Sequence, residues 1–491
     1  MCERLENKNF SSLLNLNEIL PCVCGTLLNE NADESMFCFT SVCTDSRNVV
    51  EKSLFIPLIG EFQDGHSYIE QAIKKGATVI FVCRKSFNEK EDFYKKIAKE
   101  NPCVFFIMVE NTLYALQKAA ERYVQKFPDL IRVSITGSSG KTTTKEIAYS
   151  ILKEKYKVRC NKGNFNSETG LPLSCFEIRS GDEVALLEMG MNREGEIGEL
   201  CEVFKPQYAG ITNIGTAHIG KLGSREKIAE EKKKIFNHLS QNGVAIIPKD
   251  DDYADFLSQG VNAKIVYYGK NVKGNGIEFV KDAGIDGTFF KIEGQDVHLA
   301  IPGIYNYSNA LLAIEIGRTL GLSVKQIKDG IEKVKALDGR SKIVKGKYSI
   351  LEDCYNANPD SMEKALEFAK DVKISGKKIF VLGSMLELGS ESFNAHCAVG
   401  KKAVQCGSDE IFFVGKEMVF AYEEAKIACA GKNIHLNYFE KTDDEVMNAI
   451  ALKIKNSAPD GSFILLKGSH SIALERLVPL LHDAQTEGKH A

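Results

Sequence analysis

The 491-residue sequence contains no tryptophan and no Cys-x-x-Cys pair. Its 14 cysteines are scattered, and none shows the spacing with other cysteines or histidines that zinc sites require. We therefore expect reduced thiols that serve as small core residues. The sequence also has no apolar run close to the roughly 20 residues of a membrane-spanning helix, because its densest short run covers only residues 104–109.

Charge of one sign is not in excess either. The 63 lysines and arginines face 66 aspartates and glutamates, which gives a formal net charge of -3. A chain so near neutrality has no general attraction to nucleic acid or acidic membranes. Residues 1–10 are charged and lack the apolar core of a signal peptide. These absences predict a soluble, intracellular protein with no nucleic-acid partner and no membrane span.

Length and hydrophobic pattern predict three α/β domains, since about 100–200 residues per domain is usual. Residues 1–109 alternate short strands, such as 53–58 and 77–82, with a helix at 67–75. Residues 110–337 alternate strands and helices in the pattern of a parallel, doubly wound sheet, with β-hairpins in the glycine-rich stretch 269–287. Residues 338–491 contain buried-strand candidates at 379–382, 411–414 and 463–466. The polar end, 483–491, is expected to fray.

The most specific local signal is a glycine loop between a predicted strand, 131–136, and a predicted helix that begins at Lys141. Glycines let backbone N–H groups converge on phosphate oxygens, and the helix N-terminus adds positive potential. Lys141 would reach the β- and γ-phosphates, and the Thr142 hydroxyl would bind Mg²⁺. Ile135 stands where the general motif has another glycine, so the loop fits only the shorter Thr-Gly-x-x-Gly-Lys-Thr form. The alternative is a Gly/Ser turn before a helix that happens to begin with lysine. The loop residues are Gly137, Ser138, Ser139, Gly140, Lys141, Thr142 and Thr143.

Two polar residues follow later strand candidates in the same domain. Glu188 ends the apolar run 184–187, at the carboxyl edge where open α/β sheets bind their ligands. We interpret it as a metal ligand; a solvated strand end is the alternative. His218 follows the strand candidate 208–212 and by itself is typical of an ordinary loop histidine. Together with Glu188 and the glycine loop, it becomes a candidate ligand of Mg²⁺ or of a water bound to Mg²⁺.

A lysine on an apolar helix face is the third candidate. Ile228, Lys232, Ile235 and Leu239 follow the spacing of one helical stripe, after a capping Ser224. From this stripe alone we favour a snorkelling lysine, whose stem covers apolar surface, because such lysines are common. The alternative is a modified lysine, because a desolvated amine has a lowered pKa and its neutral form can react with CO₂ to give an anionic carbamate.

Together these motifs resemble the Mur ligases, the ATP-dependent amide-forming enzymes of peptidoglycan precursor synthesis, over nearly the whole chain. Residues 355–359, Tyr-Asn-Ala-Asn-Pro, are the most specific item and favour the dipeptide-adding member. The Asp-Asn-Pro-Arg motif of the diamino-acid-adding member is not present. The other similar segments are 44–47 and 64–66 in the N-terminal domain, 137–143, 163–166 and 170–173 in the central domain, and 353–354 and 466–469 in the C-terminal domain.

The resemblance implies an α/β fold of three domains: a small UDP-binding domain, a central P-loop ATPase domain and a C-terminal Rossmann-like domain. It implies a cytoplasmic, monomeric ligase that adds D-alanyl-D-alanine to UDP-N-acetylmuramoyl-tripeptide through an acyl phosphate, using ATP and two Mg²⁺ ions. Glu188 and His218 would serve the metal ions, and Lys232 would be the family's carbamylated lysine, which overturns the preference for snorkelling. The implied nucleotide contacts are Asn306, Arg340 and Asp353, and the implied substrate contacts are Ser46, Arg47, Asn164, Asn166, Lys467 and Ser469.

Some positions depart from the family's usual pattern without removing a catalytic group. Lys234 puts positive charge where the family often has negative charge, next to Lys233. The remaining departures are Tyr305 for histidine, Ser167 for asparagine and Ser384 for aspartate. Two alternatives stay open: another ligase of the same fold, such as a folylpolyglutamate or diamino-acid-adding enzyme, and a P-loop ATP-binding switch without ligase chemistry. No side chain stands out as the base that deprotonates the incoming amine.

Overall fold

The computed structural model describes residues 12–29 and 33–482. Two predictions concern residues outside these ranges: the absence of a signal peptide in 1–10 and the fraying of the polar end, 483–491. The chain divides into two compact units. The first comprises Met1–Val133, Lys157–Met191 and Gly195–Gln207, and the second comprises Ser134–Tyr156, Asn192–Glu194 and Tyr208–Ala491. The domain boundaries predicted after residues 109 and 337 stay predictions.

The N-terminal elements build a five-stranded sheet in the order β1-β5-β4-β3-β2, parallel except for the antiparallel pair β1–β5. The predicted strand 53–58 ends early, at Phe55, because Pro57 has no N–H to continue a ladder. The elements are α1 Leu16–Val23, β1 Thr26–Leu27, β2 Ser41–Cys43, β3 Ser53–Phe55, α2 Ile69–Lys74, β4 Ala77–Cys83, α3 Arg84–Glu89, α4 Glu91–Glu100, β5 Phe105–Val109 and α5 Thr112–Val124.

The next elements build a six-stranded sheet in the order β11-β10-β9-β6-β8-β7, and then an antiparallel meander β12-β13-β14. The pairs β7–β8, β9–β10 and β10–β11 are parallel, as predicted for a doubly wound sheet. The elements are β6 Ile131–Thr136, α6 Lys141–Leu152, β7 Val158–Cys160, α7 Gly170–Cys175, β8 Val184–Glu188, α8 Glu196–Phe204, β9 Tyr208–Ile211, α9 Ile219–Leu222, α10 Arg225–Lys233, β10 Val244–Pro248, α11 Ala254–Ser258, β11 Lys264–Tyr268, β12 Ile277–Asp282, β13 Thr288–Ile292, β14 Gln295–Leu299, α12 Ile304–Thr319 and α13 Val324–Lys333.

The C-terminal elements form a Rossmann-like sheet in the order β15-β16-β20-β17-β18-β19, parallel except for the edge strand β15. Its central strands are buried and nearly all apolar, as expected for a parallel sheet covered on both faces. The elements are β15 Lys342–Lys345, β16 Ser349–Asp353, α14 Pro359–Asp371, β17 Lys378–Gly383, α15 Ser392–Gln405, β18 Glu410–Val414, α16 Met418–Ala428, β19 His435–Phe439, α17 Asp444–Ser457, β20 Phe463–Lys467 and α18 Leu477–Leu481.

Two observations follow from these elements. The strand order of the C-terminal sheet reverses at β20, which lies between β16 and β17, and such a reversal opens a crevice at the carboxyl ends of the strands. None of the helices in the described part of the chain combines the length and the apolar character needed to cross a bilayer.

Candidate active site

The glycine loop joins β6 to α6 and requires glycine at both of its ends. Gly137 has a φ of 150° and Gly140 a φ of 82°. A Cβ on Gly137 would lie 1.8 Å from Oγ1 of Thr212, and one on Gly140 would lie 2.3 Å from Oδ1 of Asn309. Gly140 is the N-cap of α6 and brings no capping side chain to the N–H groups of the first turn. This is the arrangement of a phosphate site at a helix N-terminus.

Residues after β9 hold this loop in place. The backbone N–H of Ser139 donates to Oδ1 of Asn213 at 3.2 Å, and Asn213 Nδ2 donates back to the Ser139 carbonyl at 2.9 Å. The hydroxyl of Thr212 donates to the same carbonyl at 2.6 Å. The N–H of Gly215 donates to Oγ of Ser138 at 2.8 Å. We did not predict that Thr212 and Asn213 hold the loop. Their position directly after a buried strand is the sequence feature that could have indicated it.

A Gly137→Ala variant is expected to lose both stability and nucleotide binding. The added methyl group meets Thr212, and the positive φ strains an L-residue, which together cost on the order of 2–4 kcal/mol of folding free energy. The matched control is Gly407→Ala, where φ is 72° and a Cβ would meet nothing within 4 Å. That control should lose only about 1 kcal/mol and keep its nucleotide affinity. Urea denaturation and ATP-analogue titration measure the two effects, and equal losses in both variants would contradict the steric argument.

Lys141, His218 and Lys232 come together in the second unit. Nζ of Lys141 donates to the carbonyl of Gly137 at 3.0 Å, so the side chain lies over its own loop. Burial lowers the pKa of His218 to about 3, and the positive charges of three lysines add to this shift: Lys141, Lys232 and Lys221. His218 is therefore a neutral imidazole at physiological pH, the form that ligates metals.

Lys232 is almost completely buried on α10, with 1% of its surface exposed. Burial and, secondly, the charge of Lys141 lower the pKa of Lys232 well below its usual value, although Glu231 opposes the shift. A snorkelling lysine keeps its ammonium group in water, and Lys232 does not. The structure therefore argues against the snorkelling interpretation. Lys234, which adds positive charge next to Lys233, donates from Nζ to Oε2 of Glu231 at 2.6 Å.

Glu188 ends β8 in the first unit and is 1% exposed, so it is not a solvated strand end. Its Oε1 accepts a hydrogen bond from Nδ2 of Asn166 at 2.6 Å. The side chain of Asn161 binds the backbone of Glu188 on both sides: its Oδ1 accepts from the Glu188 N–H at 3.0 Å, and its Nδ2 donates to the Glu188 carbonyl at 3.0 Å. Asn164 lies exposed on the same loop. The predicted substrate residue Asn166 is thus a direct partner of the predicted metal ligand.

The N-terminal candidates differ in exposure. Ser46 is buried, and its hydroxyl donates to Oε1 of Gln71 at 2.9 Å. The side chain of Arg47 is 83% exposed and pairs with Asp45 at 2.7 Å. Arg47 therefore lies where a soluble anion can reach it, whereas Ser46 is already engaged in the fold.

Asn306, on α12, connects to the glycine loop through a residue that we did not predict. It is buried and donates from Nδ2 to the carbonyl of Pro302 at 2.7 Å. Its Oδ1 accepts from Nδ2 of Asn309 at 2.9 Å, and Asn309 is the side chain that lies against Gly140. The one-turn spacing of the two asparagines on a helix was the signal available in the sequence.

The C-terminal candidates gather at the crevice of the Rossmann-like sheet. Asp353 and Lys467, at the ends of β16 and β20, form an ion pair of 2.9 Å whose lysine is buried. Nζ of Lys467 also donates to the carbonyl of Asn356 at 2.8 Å. The guanidinium of Arg340 lies 3.9 Å from the ring centre of Tyr355. Ser469, also predicted, is buried and accepts from the N–H of Leu386 at 3.1 Å.

A buried histidine supports the loop after β17 and predicts a pH effect. His396 is fully buried; its Nε2 accepts from the N–H of Met385 at 3.1 Å, and its Nδ1 lies 2.6 Å from the carbonyl of Ser392. Because a carbonyl only accepts, Nδ1 carries the proton and the ring is neutral. Burial lowers the pKa of His396 below its usual 6.5. The unfolded chain therefore takes up this proton at a higher pH than the folded protein does.

Stability is accordingly expected to fall as pH drops below about 6.5, by at most about 1.4 kcal/mol per pH unit from this group. The comparison is the urea midpoint of the wild type and of His396→Gln at pH 7.5 and pH 5.5. The variant cannot titrate at this position and should show the smaller decrease. The same decrease in both proteins would show that His396 does not cause it.

Three family models match the chain: the catalytic domain of the Mur ligase family at residues 39–124, the Mur ligase middle domain at 135–317, and the glutamate ligase domain of Mur ligases at 339–470. A UDP-N-acetylmuramoyl-tripeptide–D-alanyl-D-alanine ligase from Treponema pallidum is 40% identical over 90% of this chain and 94% of its own. The enzyme of that name from Bacillus subtilis is 35% identical over 94% and 97%.

Solved structures agree with these relatives. MurF from Acinetobacter baumannii superposes with a TM-score of 0.81 at 27% identity, covering 95% of this chain and 98% of that one. MurF ligase from Thermotoga maritima in complex with ADP superposes with a TM-score of 0.74 at 28% identity, covering 90% and 96%.

Proposed function

The chain belongs to the Mur ligase family, and on that premise we propose that it adds D-alanyl-D-alanine to UDP-N-acetylmuramoyl-tripeptide at the expense of ATP. The observation that carries the proposal is the 40% identity to the Treponema pallidum ligase over 90% of the chain. The glycine loop and Lys141 support the proposal, because backbone N–H groups at a helix N-terminus and an ammonium group suit a bound triphosphate. The ADP bound in the Thermotoga maritima enzyme supports ATP as the nucleotide.

We propose magnesium as the companion of ATP. Among residues 12–29 and 33–482, no three His, Cys, Asp or Glu side chains cluster closely enough to hold a metal on their own. Mg²⁺ is commonly held by one or two carboxylates together with substrate phosphates and water. Thr142, Glu188, His218 and a carbamate on Lys232 would be the protein ligands of two ions. When bound, these ions would neutralise the triphosphate so that an anionic acyl donor can approach it.

The chain's own residues would act on the substrates in two steps. The backbone N–H groups of the loop and the ammonium of Lys141 would hold the γ-phosphoryl group and stabilise the charge that develops on it. The tripeptide carboxylate attacks that group, which gives an acyl phosphate and ADP. The dipeptide amine then attacks the acyl carbon, and phosphate leaves. Water must be excluded throughout, because it would hydrolyse the acyl phosphate.

The finer assignments are parts of the same proposal. We place the protein in the cytoplasm as a monomer, with domains at 1–109, 110–337 and 338–491. The proposed contacts of the UDP-sugar peptide are Ser46, Arg47, Asn164 and Asn166. The proposed nucleotide contacts beyond the loop are Asn306, Arg340 and Asp353, and Lys467 and Ser469 are placed near the incoming dipeptide.

The test is release of ADP and phosphate by the purified protein with ATP, UDP-N-acetylmuramoyl-tripeptide and D-alanyl-D-alanine. Turnover should require all three compounds, and mass spectrometry should detect the pentapeptide product. Glutamate or diaminopimelate in place of the dipeptide should not support turnover, which separates this activity from other ligases of the fold. ATP binding without an amide product from any acceptor would instead support a nucleotide-dependent switch.

A further inference from the structure

The segment 215–222, which we call the His218 segment, is held at its start by a carboxylate from the C-terminal elements. Asp360 lies in the first turn of α14, and its Oδ2 accepts from the N–H of Thr216 at 2.6 Å and from the Thr216 hydroxyl at 2.9 Å. A Cβ on Gly215 would lie 2.3 Å from the same oxygen. The contact is therefore a close one that only glycine at position 215 permits.

A second carboxylate reaches the middle of the segment. Oε2 of Glu387, on the loop after β17, lies 3.3 Å from Nδ1 of His218, and its Oε1 lies 3.6 Å from Nζ of Lys221. The His218 Nδ1 is buried and makes no aligned hydrogen bond. Beside this contact, a Cβ on Gly220 would lie 2.6 Å from the carbonyl carbon of Leu388. The two backbones therefore touch where the two side chains meet.

The facing residues share an unusual backbone conformation. His218 has a φ of 65° and Glu387 a φ of 64°, in the left-handed region that residues other than glycine rarely adopt. Such conformations persist only where the surroundings hold them, and they cluster at functional sites.

The start of α14 also reaches the glycine loop itself. Nδ2 of Asn358, the N-cap of α14, lies 3.3 Å from Oγ of Ser139, to which it donates. The hydroxyl of the neighbouring Ser138 accepts from the N–H of Gly215, and Asp360 packs against that glycine. The start of α14 thus contacts both the phosphate loop and the His218 segment, in addition to the contacts of Glu387 and Leu388 with that segment.

We propose that Asp360 and Glu387 are positioning residues that fix the His218 segment, and with it the imidazole of His218, only while the C-terminal elements rest on it. This proposal rests on the proposed function. Neither carboxylate touches a reacting atom; each acts through the segment that carries His218. The consequence is that the position of the His218 imidazole depends on two carboxylates that lie outside its own segment.

The experiment compares Asp360→Ala, Glu387→Ala and their double variant with the wild type. Each single variant should lower kcat by about tenfold to a hundredfold, the cost of a misplaced catalytic group. The KM for the UDP-sugar peptide should not change, and the affinity for a nonhydrolysable Mg²⁺–ATP analogue should fall about tenfold. Because both residues act on one segment, the double variant should lose less than the product of the single losses.

Two controls separate positioning from simple stabilisation. Asp360→Asn keeps an oxygen that can accept both Thr216 hydrogen bonds, and it should retain kcat within about threefold. Asp371→Ala removes an exposed carboxylate from the other end of α14 and should change nothing. Wild-type kcat and analogue affinity in both alanine variants would overturn the proposal. So would a loss that Asp360→Asn shares and that follows a lowered thermal midpoint.

Failure of the proposed function would give a different result. A wild type without dipeptide-dependent turnover contradicts the ligase assignment, whereas the analogue titration still tests the positioning residues. Weakened analogue binding in Asp360→Ala and Glu387→Ala, beside an unchanged Asp371→Ala, would support them in that case too. Unchanged binding in all variants would overturn them.

Discussion

A Lys232→Met variant should lose ligation almost completely while its stability stays the same or rises. Methionine fills nearly the volume of the lysine stem, and it removes a polar group whose burial is costly. If Lys232 only packed against α10's neighbours, the variant would remain active. If its amine is the point of carbamate formation, no other atom of the variant can replace it. Product formation and the urea midpoint, measured on the same preparation, test both halves of the expectation.

The control for this variant lies on the same helix. Lys227 is exposed on α10, so Lys227→Met removes the same charge without touching the buried face and should leave turnover unchanged. A second measurement addresses the modification itself. Because carbamate forms reversibly from a neutral amine and CO₂, wild-type activity should fall in CO₂-depleted buffer and return with bicarbonate. An active Lys232→Met would contradict the proposed role, and indifference to bicarbonate would contradict the carbamate.

Lys232 also shows where sequence reasoning stops. Its helical spacing with Ile228 and Ile235 predicted that Lys232 lies on the apolar face of the helix, but spacing does not tell how deeply a side chain is buried. The burial argues against snorkelling, because at 1% exposure the ammonium group cannot reach water. The strand, loop and helix around Lys141 were predicted correctly, because hydrophobic period and glycine positions act over short range. The Rossmann-like order of the C-terminal sheet was predicted only as a class, since register and order depend on contacts between distant strands.

The hydrogen-bond partners of the candidate residues could not be predicted either, because they lie far away in the sequence. Asp360 and Thr216 are 144 residues apart, and Asn213 and Ser139 are 74 apart. No local pattern links such pairs, so the sequence indicated the candidates without the side chains that orient them. Asn309 is the exception, because one helical turn separates it from Asn306. The roles of the site residues stay predictions that substitutions must test.

A Lys141→Met variant is the second large effect that we expect, with kcat lowered by about 10³-fold. The ammonium lies over the loop, donating to Gly137 at 3.0 Å, and a bound triphosphate would compete for it with a stronger, charged acceptor. Losing it removes stabilisation from the charge that develops during phosphoryl transfer, so kcat should fall further than the affinity for ATP. The KM for the UDP-sugar peptide, which we place on other residues, should not change.

Arginine is not expected to rescue this position. Its planar guanidinium is larger and cannot act as a compact point charge within a loop this tight, so Lys141→Arg should also remain well below wild-type kcat. The matched control is Lys153→Met, because Lys153 is exposed at the C-terminal end of the same helix, far along α6 from the loop. That variant should ligate at the wild-type rate. If Lys141→Met and Lys153→Met were equally active, the triphosphate would not depend on this lysine, and the phosphate site would have to be sought elsewhere in the chain.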